Sequence, residues 1–494
     1  MDLHQFLLWR KCPSAIPGIG PQEQIALDHF RTRTAYKLPG VFTSDFWESI
    51  VFQASFAEPA VFHAVIALGA IHRNQSSIAA GLENGQRTQS NESLGLQHYN
   101  KAIRYLVGYG KSRSKQATRP VLVACVVFIC LELLRGRFRT ARAHLQSGLK
   151  LLSEMQSHPS RKGWAEGKCN GRDDTFVVPP QHASVDNQLI DALTQLNIQS
   201  ALFGQGVGYL QDIVPGYRSS GADEIPRIFQ TPGAARQHLD RLIDGVSFLS
   251  AKVKPSEMQY PIPEDFVQQK ELLQASLARW LRSYNASLPF LDSNLNIKSR
   301  LSLLLLRLYH TMTSIMASTC LRLTDETVFD LHTQDFADMI TQAVELFRQS
   351  VDLLAPPGST QPPNLSFTLD MGYIPPLYYV GLKCRLPRLR RQAIDLLESM
   401  PHREGVWDGE VAAYVARQVI EMEEGECYDG HAEVDPADVP SVPGKKRIND
   451  VSVVLQNGVG ETSTLVCERW TGVAWESWAT RFDVGFCKAS LSGC

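Results

Sequence analysis

The feature that most constrains the fold is the recurrence of apolar side chains at spacings of three and four through most of the first 425 positions. Such spacing places them on one face of an α-helix, so the sequence calls for a mainly helical body. In TSDFWESIVFQAS, Thr43 or Ser44 is placed to cap a helix, Asp45 complements its dipole, and Phe46, Trp47, Ile50, Val51 and Ala54 form the buried face. Pro59 opens the next helix, whose stripe runs through Val61, Val65 and Leu68. A connection this short requires antiparallel packing. Further helices are expected near 91–107, with Leu96, Tyr99, Ile103 and Leu106 on one side, and from Pro120 to a stop at Gly136. Phe138, Ala141, Leu145, Leu149 and Leu152 mark the one after that. Patterns resume at 184–203, at 231–253 where Thr231 and Pro232 mark a start, and at 264–288, 297–323, 332–354 and about 376–424. HYNKAIRYL (98–106) and HLQSGLKLL (144–152) match at His and Leu, a hint of repetition too short to define a solenoid.

The chain divides accordingly into an N-terminal extension (1–40), a helical body (41–425), an acidic hinge (426–449) and a C-terminal β element (450–494). Residues 157–182 carry no periodicity and read as a surface insertion. Glu421 to Asp438 holds eight acidic residues and no Lys or Arg, a solvated hinge in the first instance, with a contact to partner proteins as the rival reading. Beyond it, VSVVLQ and STLVCERW flank Asn457-Gly458, a pair suited to a tight hairpin, with Trp470, Trp475 and Trp478 following. The fold class expected is therefore all-α, a layered multi-helix bundle with a small C-terminal β hairpin.

With 49 Lys and Arg against 51 Asp and Glu, no global field selects nucleic acid or an anionic membrane. Val121–Leu134 and Leu301–Leu323 are dense in apolar residues, but Glu132 interrupts the first, while Arg307, His310 and Arg322 interrupt the second. Both read as buried helices, not membrane spans. The N-terminus MDLHQFLLWRKC lacks the basic region of a secretory signal. The ten cysteines, with none spaced as a zinc knuckle, fit free thiols in a reducing compartment.

Several segments together resemble the regulatory, or middle homology, region of fungal Zn(II)2Cys6 transcription factors. They are VFTSDFWESIVFQASFAEPAVFHAVIALGAIH (41–72), HYNKAI (98–103), VLVACVVFICLELLRGRFRTARAHLQSGLKLL (121–152), TPGAARQHLDRL (231–242), IPPLYYVGLKCRLPRLRRQAIDLL (374–397) and HREGVWD (402–408). The resemblance implies an all-helical body that regulates transcription by controlling activation, dimerisation or effector response. Family members carry six cysteines that bind two zinc ions ahead of this region. Here Cys12 alone precedes Cys125, and one thiolate cannot assemble that cluster. Autonomous zinc-cluster DNA binding is not expected of these residues: either the protein is a cluster-less relative, or the cluster is encoded upstream.

Candidate partner or regulatory contacts are Cys384, Arg385, Arg390, Arg391, Arg403, Glu404 and Trp407. The run 383–391 places five basic residues in nine positions, suited to an anion, although local pairing such as Arg391 with Asp395 is the favoured reading. Cys384 with His402 lacks the third group a thiolate–imidazole pair needs, so a packed thiol is expected. Trp407 is expected to be buried and Asp408 to cap the following helix. Arg135, Arg137, Arg139 and Arg142 surround the Gly136 turn, but the helix before it is too apolar to lie on a phosphate backbone. Lys445-Lys446-Arg447 is a weak import signal, read first as solvated. HExxH, GxSxG and P-loop motifs are absent; Asp173-Asp174 lacks the next acid of a cyclase site, and Gly204, Gly206 and Gly208 follow a helix where a dinucleotide fingerprint needs a strand. No catalytic residue, metal or cofactor is therefore assigned. The expected function is a nuclear regulator that contacts other transcription factors, regulatory proteins or a small effector, meets DNA only indirectly, and has homodimerisation among its expected assemblies. The rival readings are a cytoplasmic helical adaptor and, last, a helical enzyme.

Overall fold

The computed structural model describes residues 19–79, 85–109, 118–157, 185–204, 225–253, 262–292, 297–322, 324–354, 367–399, 402–425, 442–458 and 461–484. The insertion at 157–182, Asp173-Asp174, Gly206, Gly208 and the stretch 426–441 of the acidic segment lie almost wholly outside these residues.

The body starts within the N-terminal extension. Helix α1 (Pro21–His29) runs through a π turn (Phe30–Thr34) to Lys37 and packs on α3. A second π turn (Phe46–Ile50) leads into α2 (Val51–Ala57), with the Trp47 amide donating to Ser44 Oγ at 3.4 Å. Helices α3 (Pro59–Ala79) and α4 (Gly85–Tyr109) form one pair, and α5 (Thr118–Leu134) and α6 (Phe138–Ser157) a second beside it. Every residue of α5 from Leu122 to Leu134 is buried, including Glu132, as expected of a helix apolar nearly all round. Gly136, at φ 70°, turns the chain between α5 and α6, a backbone angle that other residues adopt at a cost.

Helix α7 (Val185–Leu202) bridges α5 and α6 to α8 (Pro232–Lys252), whose Thr231 cap accepts the Ala234 amide at 3.1 Å. Helices α9 (Glu264–Asp292), α10 (Ile297–Thr319) and α11 (Thr333–Leu354) continue the layers, followed by α12 (Ile374–Lys383), α13 (Pro387–Ser399) and α14 (Gly409–Glu424), which pack on one another. One large hydrophobic core runs from Ala26 to Phe482 and joins all these layers. Among the described residues, no helix is long and apolar enough to cross a membrane.

A two-stranded ladder, β1 (Arg403–Glu404) and β2 (Trp407–Asp408), separates α13 from α14. At the C-terminus β3 (Asp450–Val454), β4 (Ser463–Trp470) and β5 (Trp475–Phe482) form an antiparallel sheet in that order. As expected, the strands flanking Asn457-Gly458 pair antiparallel, though the connection that holds that pair is longer than a tight turn, and the tight hairpin joins β4 to β5 through Thr471–Ala474. Asn457 instead serves a helix: its Oδ1 accepts the Arg139 and Thr140 amides at 3.0 and 3.2 Å, capping the start of α6.

Candidate functional site

The sequence-derived residues fall into two internal clusters on either side of α12. The first is a layer of buried charge. Arg385, just past α12, sends Nη2 to Glu423 Oε1 at 2.8 Å and to Glu326 Oε2 at 3.0 Å, and donates to the Ile448 carbonyl at 3.1 Å. Arg390 on α13 is wholly buried, with Nη2 2.7 Å from Glu423 Oε2, Nη1 3.1 Å from Glu424 Oε1, and Nε donating to the Gly381 carbonyl. Arg391, with a half-exposed side chain, turns to Glu424 Oε2 at 2.9 Å, so its partner comes from α14 and not from Asp395 one turn along. Lys383 Nζ completes the layer, 2.9 Å from Glu326 and 2.7 Å from the Asn449 carbonyl.

Burial pushes the Glu423 carboxyl up, but Arg385 and Arg390 outweigh it and hold the group below its ordinary value. Burial likewise disfavours charge on Arg385, and Glu423 and Glu326 more than restore it. The layer joins α12, α13 and α14 to the chain entering the sheet, because Glu423 Oε1 also accepts the Ile448 amide at 2.8 Å. Arg447 extends it: Nε donates to the Val442 carbonyl, and Nη1 and Nη2 grip Asp330 at 2.9 and 2.8 Å. Arg447 is therefore a core residue, separated in role from Lys445 and Lys446.

Cys384 caps α12 with its amide on the Val380 carbonyl, and burial raises its thiol pKa. His402 lies elsewhere, against Thr368, Tyr373 and Glu404.

The second cluster is the corner at β1 and β2. Glu404 is fully buried and accepts the Gly372, Tyr373 and Ile374 amides at 2.7, 3.0 and 3.3 Å, satisfying the orphan donors at the start of α12. Burial pushes its pKa up to about 8, against the pull of those amides. Arg403 reaches into the other half of the body, donating to the Leu133 and Leu134 carbonyls at 2.5 and 3.4 Å, where α5 ends. Gln75 donates to the same Leu134 carbonyl. Trp407 is buried edge-on against Phe203 and Tyr378, with centroids 4.7 and 5.2 Å away, and Asp408 caps α14 through the Glu410 and Val411 amides. Gly405 turns β1 into β2 at φ 59°, where a Cβ would stand 2.0 Å from Gln199 Oε1.

Sequence reading passed over Glu326, and it took Glu423 and Glu424 for part of a solvated acidic hinge and Arg447 for the end of a solvated basic run, whereas all three are paired inside the protein. It also passed over Arg236, whose Nη1 meets Asp370 at 2.6 Å in a buried pair beside Asp240. A usable signal did exist for Glu423 and Glu424: anions in a last helical turn oppose the dipole and call for cations nearby. The Gly136 turn is largely solvated, with Arg137, Arg139 and Arg142 exposed and Arg139 paired with Glu461. An open surface recess outside the charged layer is lined by Glu421, Met422, Gly425, Lys445, Lys446, Arg469 and Thr471. Among the described residues no cluster of His, Cys, Asp and Glu is arranged to hold a metal ion.

Residues 26–175 match the model of the fungal specific transcription factor domain. The chain is similar to the Aspercryptin biosynthesis cluster-specific transcription regulator atnN of Emericella nidulans, 24% identical over 465 residues that span 79% of this chain and 72% of that protein. It is also similar to the transcription regulator lscL of Purpureocillium lilacinum, 28% identical over 144 residues that span 29% of this chain and 32% of that one. No solved structure matches. The matched segment runs from within α1 to the end of α6 and includes the end of α5 that Arg403 grips; over this segment the chain is similar to the fungal specific transcription factor domain, and the relatives it resembles are fungal transcription regulators.

Proposed function

We propose that the protein regulates transcription in the nucleus through contacts its helical body makes with other regulatory proteins or an effector, with DNA contact supplied by a partner and no bond-making step of its own. The observation that carries this reading is the match over residues 26–175, together with the regulators to which the longer chain is similar. The geometry supports it from a second direction. Arg385, Arg390 and Glu404, three of the charged candidates, are each bound inside the protein to named internal partners, Glu423 among them. Such pairs hold elements in register and leave their charges committed to the fold. Recognition on this reading belongs to surfaces that the two clusters position, including the recess beside Lys445 and Lys446.

The test is to tether the full chain to a foreign DNA-binding domain in a fungal host and read a reporter downstream of that domain's site. A change in reporter output that requires the helical body supports the proposal. Equal output with and without the body, in nuclei that contain the protein, overturns it.

A further inference from the structure

The Asn457-Gly458 pair carries the sequence signal of a tight turn, but neither conformation nor packing calls for glycine at 458. Gly458 is not among the glycines at positive φ, and a Cβ built on it would meet nothing among the described residues within 4 Å. Its carbonyl accepts the Glu461 amide at 3.3 Å, while its own amide donates no hydrogen bond among the described residues. Asn457 is partly exposed; its amide is bound to Glu461 Oε2 at 3.0 Å and its Oδ1 to the Arg139 and Thr140 amides at the start of α6. What the pair retains is its reactivity. An asparagine followed by glycine is open to attack on its side-chain carbonyl carbon by the next main-chain nitrogen, because glycine has no Cβ to crowd the five-membered ring that forms.

We propose that Asn457 is a site of spontaneous modification, at which the Gly458 nitrogen closes a succinimide on the Asn457 side chain and water reopens it as aspartate or isoaspartate. The Gly458 nitrogen gives its proton to solvent and its electron pair to Asn457 Cγ, and negative charge moves onto Oδ1. The Cγ–Nδ2 bond then breaks as Nδ2 takes up a proton and leaves as ammonia. Water adds to either ring carbonyl and cleaves that carbon's bond to the ring nitrogen, so one water is consumed and one ammonia released. The two α6 amides lie 3.0 and 3.2 Å from the oxygen on which the charge develops, at the positive end of a helix dipole, and so favour the addition step. The products act differently on α6. Aspartate keeps an acceptor at the helix start, where an anion is favourable. Isoaspartate routes the main chain through the former side chain, so the acceptor is displaced and α6 loses its cap. The reaction needs no partner and is independent of the regulatory role.

The experiment is to hold the purified full chain in mildly alkaline buffer and follow the peptide containing residue 457 by mass spectrometry, with isoaspartate read by an isoaspartyl methyltransferase. The expected result is conversion at 457 in the folded chain, faster as pH rises because the attacking nitrogen must lose its proton, with isoaspartate among the products. Gly458→Val should slow conversion roughly tenfold or more, because a branched side chain crowds the closing ring. The open space at 458 lets that variant fold. Once isoaspartate has accumulated, the Arg139 and Thr140 amides should exchange hydrogen faster, and in Gly458→Val held for the same time they should not. An amide that persists at 457 in the folded chain, under conditions that convert the chain unfolded in urea, would overturn the proposal. Conversion at an equal rate in Gly458→Val, an acid product without isoaspartate, or unchanged exchange at Arg139 and Thr140 in the isoaspartyl chain would each overturn it too.

Discussion

Replacing Glu423 by glutamine changes one atom's charge at the centre of the buried layer. The Gln oxygen can keep Arg385 Nη2 and the Ile448 amide, both 2.8 Å from Oε1, while the new amide group faces Arg390 Nη2 at the 2.7 Å position of Oε2. A donor then meets a donor, and a guanidinium that is wholly buried loses half of its counter-charge. Removing one partner from such a pair costs about 3–5 kcal/mol. The entropy of unfolding is about 2.1 cal/mol/K per residue, so 494 residues unfolding together give about 1 kcal/mol/K and the melting temperature should fall by about 3–5 °C. Scanning calorimetry measures this directly. Arg391→Ala is the control: its side chain is half exposed, and such a pair contributes about 0–1 kcal/mol, hence a shift of about 1 °C or less. Equal shifts for the two variants would refute the claim that Glu423, and not the surface of α13, holds the layer.

Arg403→Ala leaves the Leu133 and Leu134 carbonyls without that donor and should cost about 1–3 kcal/mol, seen in calorimetry together with faster hydrogen exchange at the end of α5. Asn457→Ala removes the side-chain acceptor at the start of α6 and should cost about 1 kcal/mol, with exchange rising at Arg139 and Thr140. Acid should also destabilise the fold. Burial lowers the pKa of His29, His98 and His310 to about 4 and of His72 to about 3, aided by cations or a second imidazole near each. These groups stay neutral in the fold while the unfolded chain protonates near 6.5, so stability is full above that value and is lost as pH falls from 6.5 toward 4. A melting temperature that stays flat or rises over that window would contradict this assignment.

The helices were legible because each buries one face, and that face is written in the spacing of Leu, Val, Ile and aromatic side chains. Local caps were legible for the same reason, as at Thr231 and Asp408, whose partners lie within three residues. Partners far along the chain were not. Glu423 and Glu424 looked like the start of a solvated acidic stretch because their cations sit more than thirty residues earlier, and Arg447 looked like the end of a surface basic run because Asp330 lies 117 residues away. Asn457 carried a strong turn signal, yet its side chain is held by a helix start 317 to 318 residues distant. Burial of charge leaves no periodic trace, so the internal role of Arg385 and Arg390 emerged only when the fold brought α14 against α12 and α13. Helix α1 was missed for a related reason: Pro21–His29 buries little beyond Ala26 and Leu27, too short a stripe to read.

The most direct measurement of the central claim is to map where the tagged full chain is held on chromatin and to compare those sites with the genes whose transcripts change when the protein is removed. The account predicts that the two sets overlap at promoters and that removing the helical body abolishes both. Unchanged transcripts on removal, with no promoter enrichment of the chain, would contradict it.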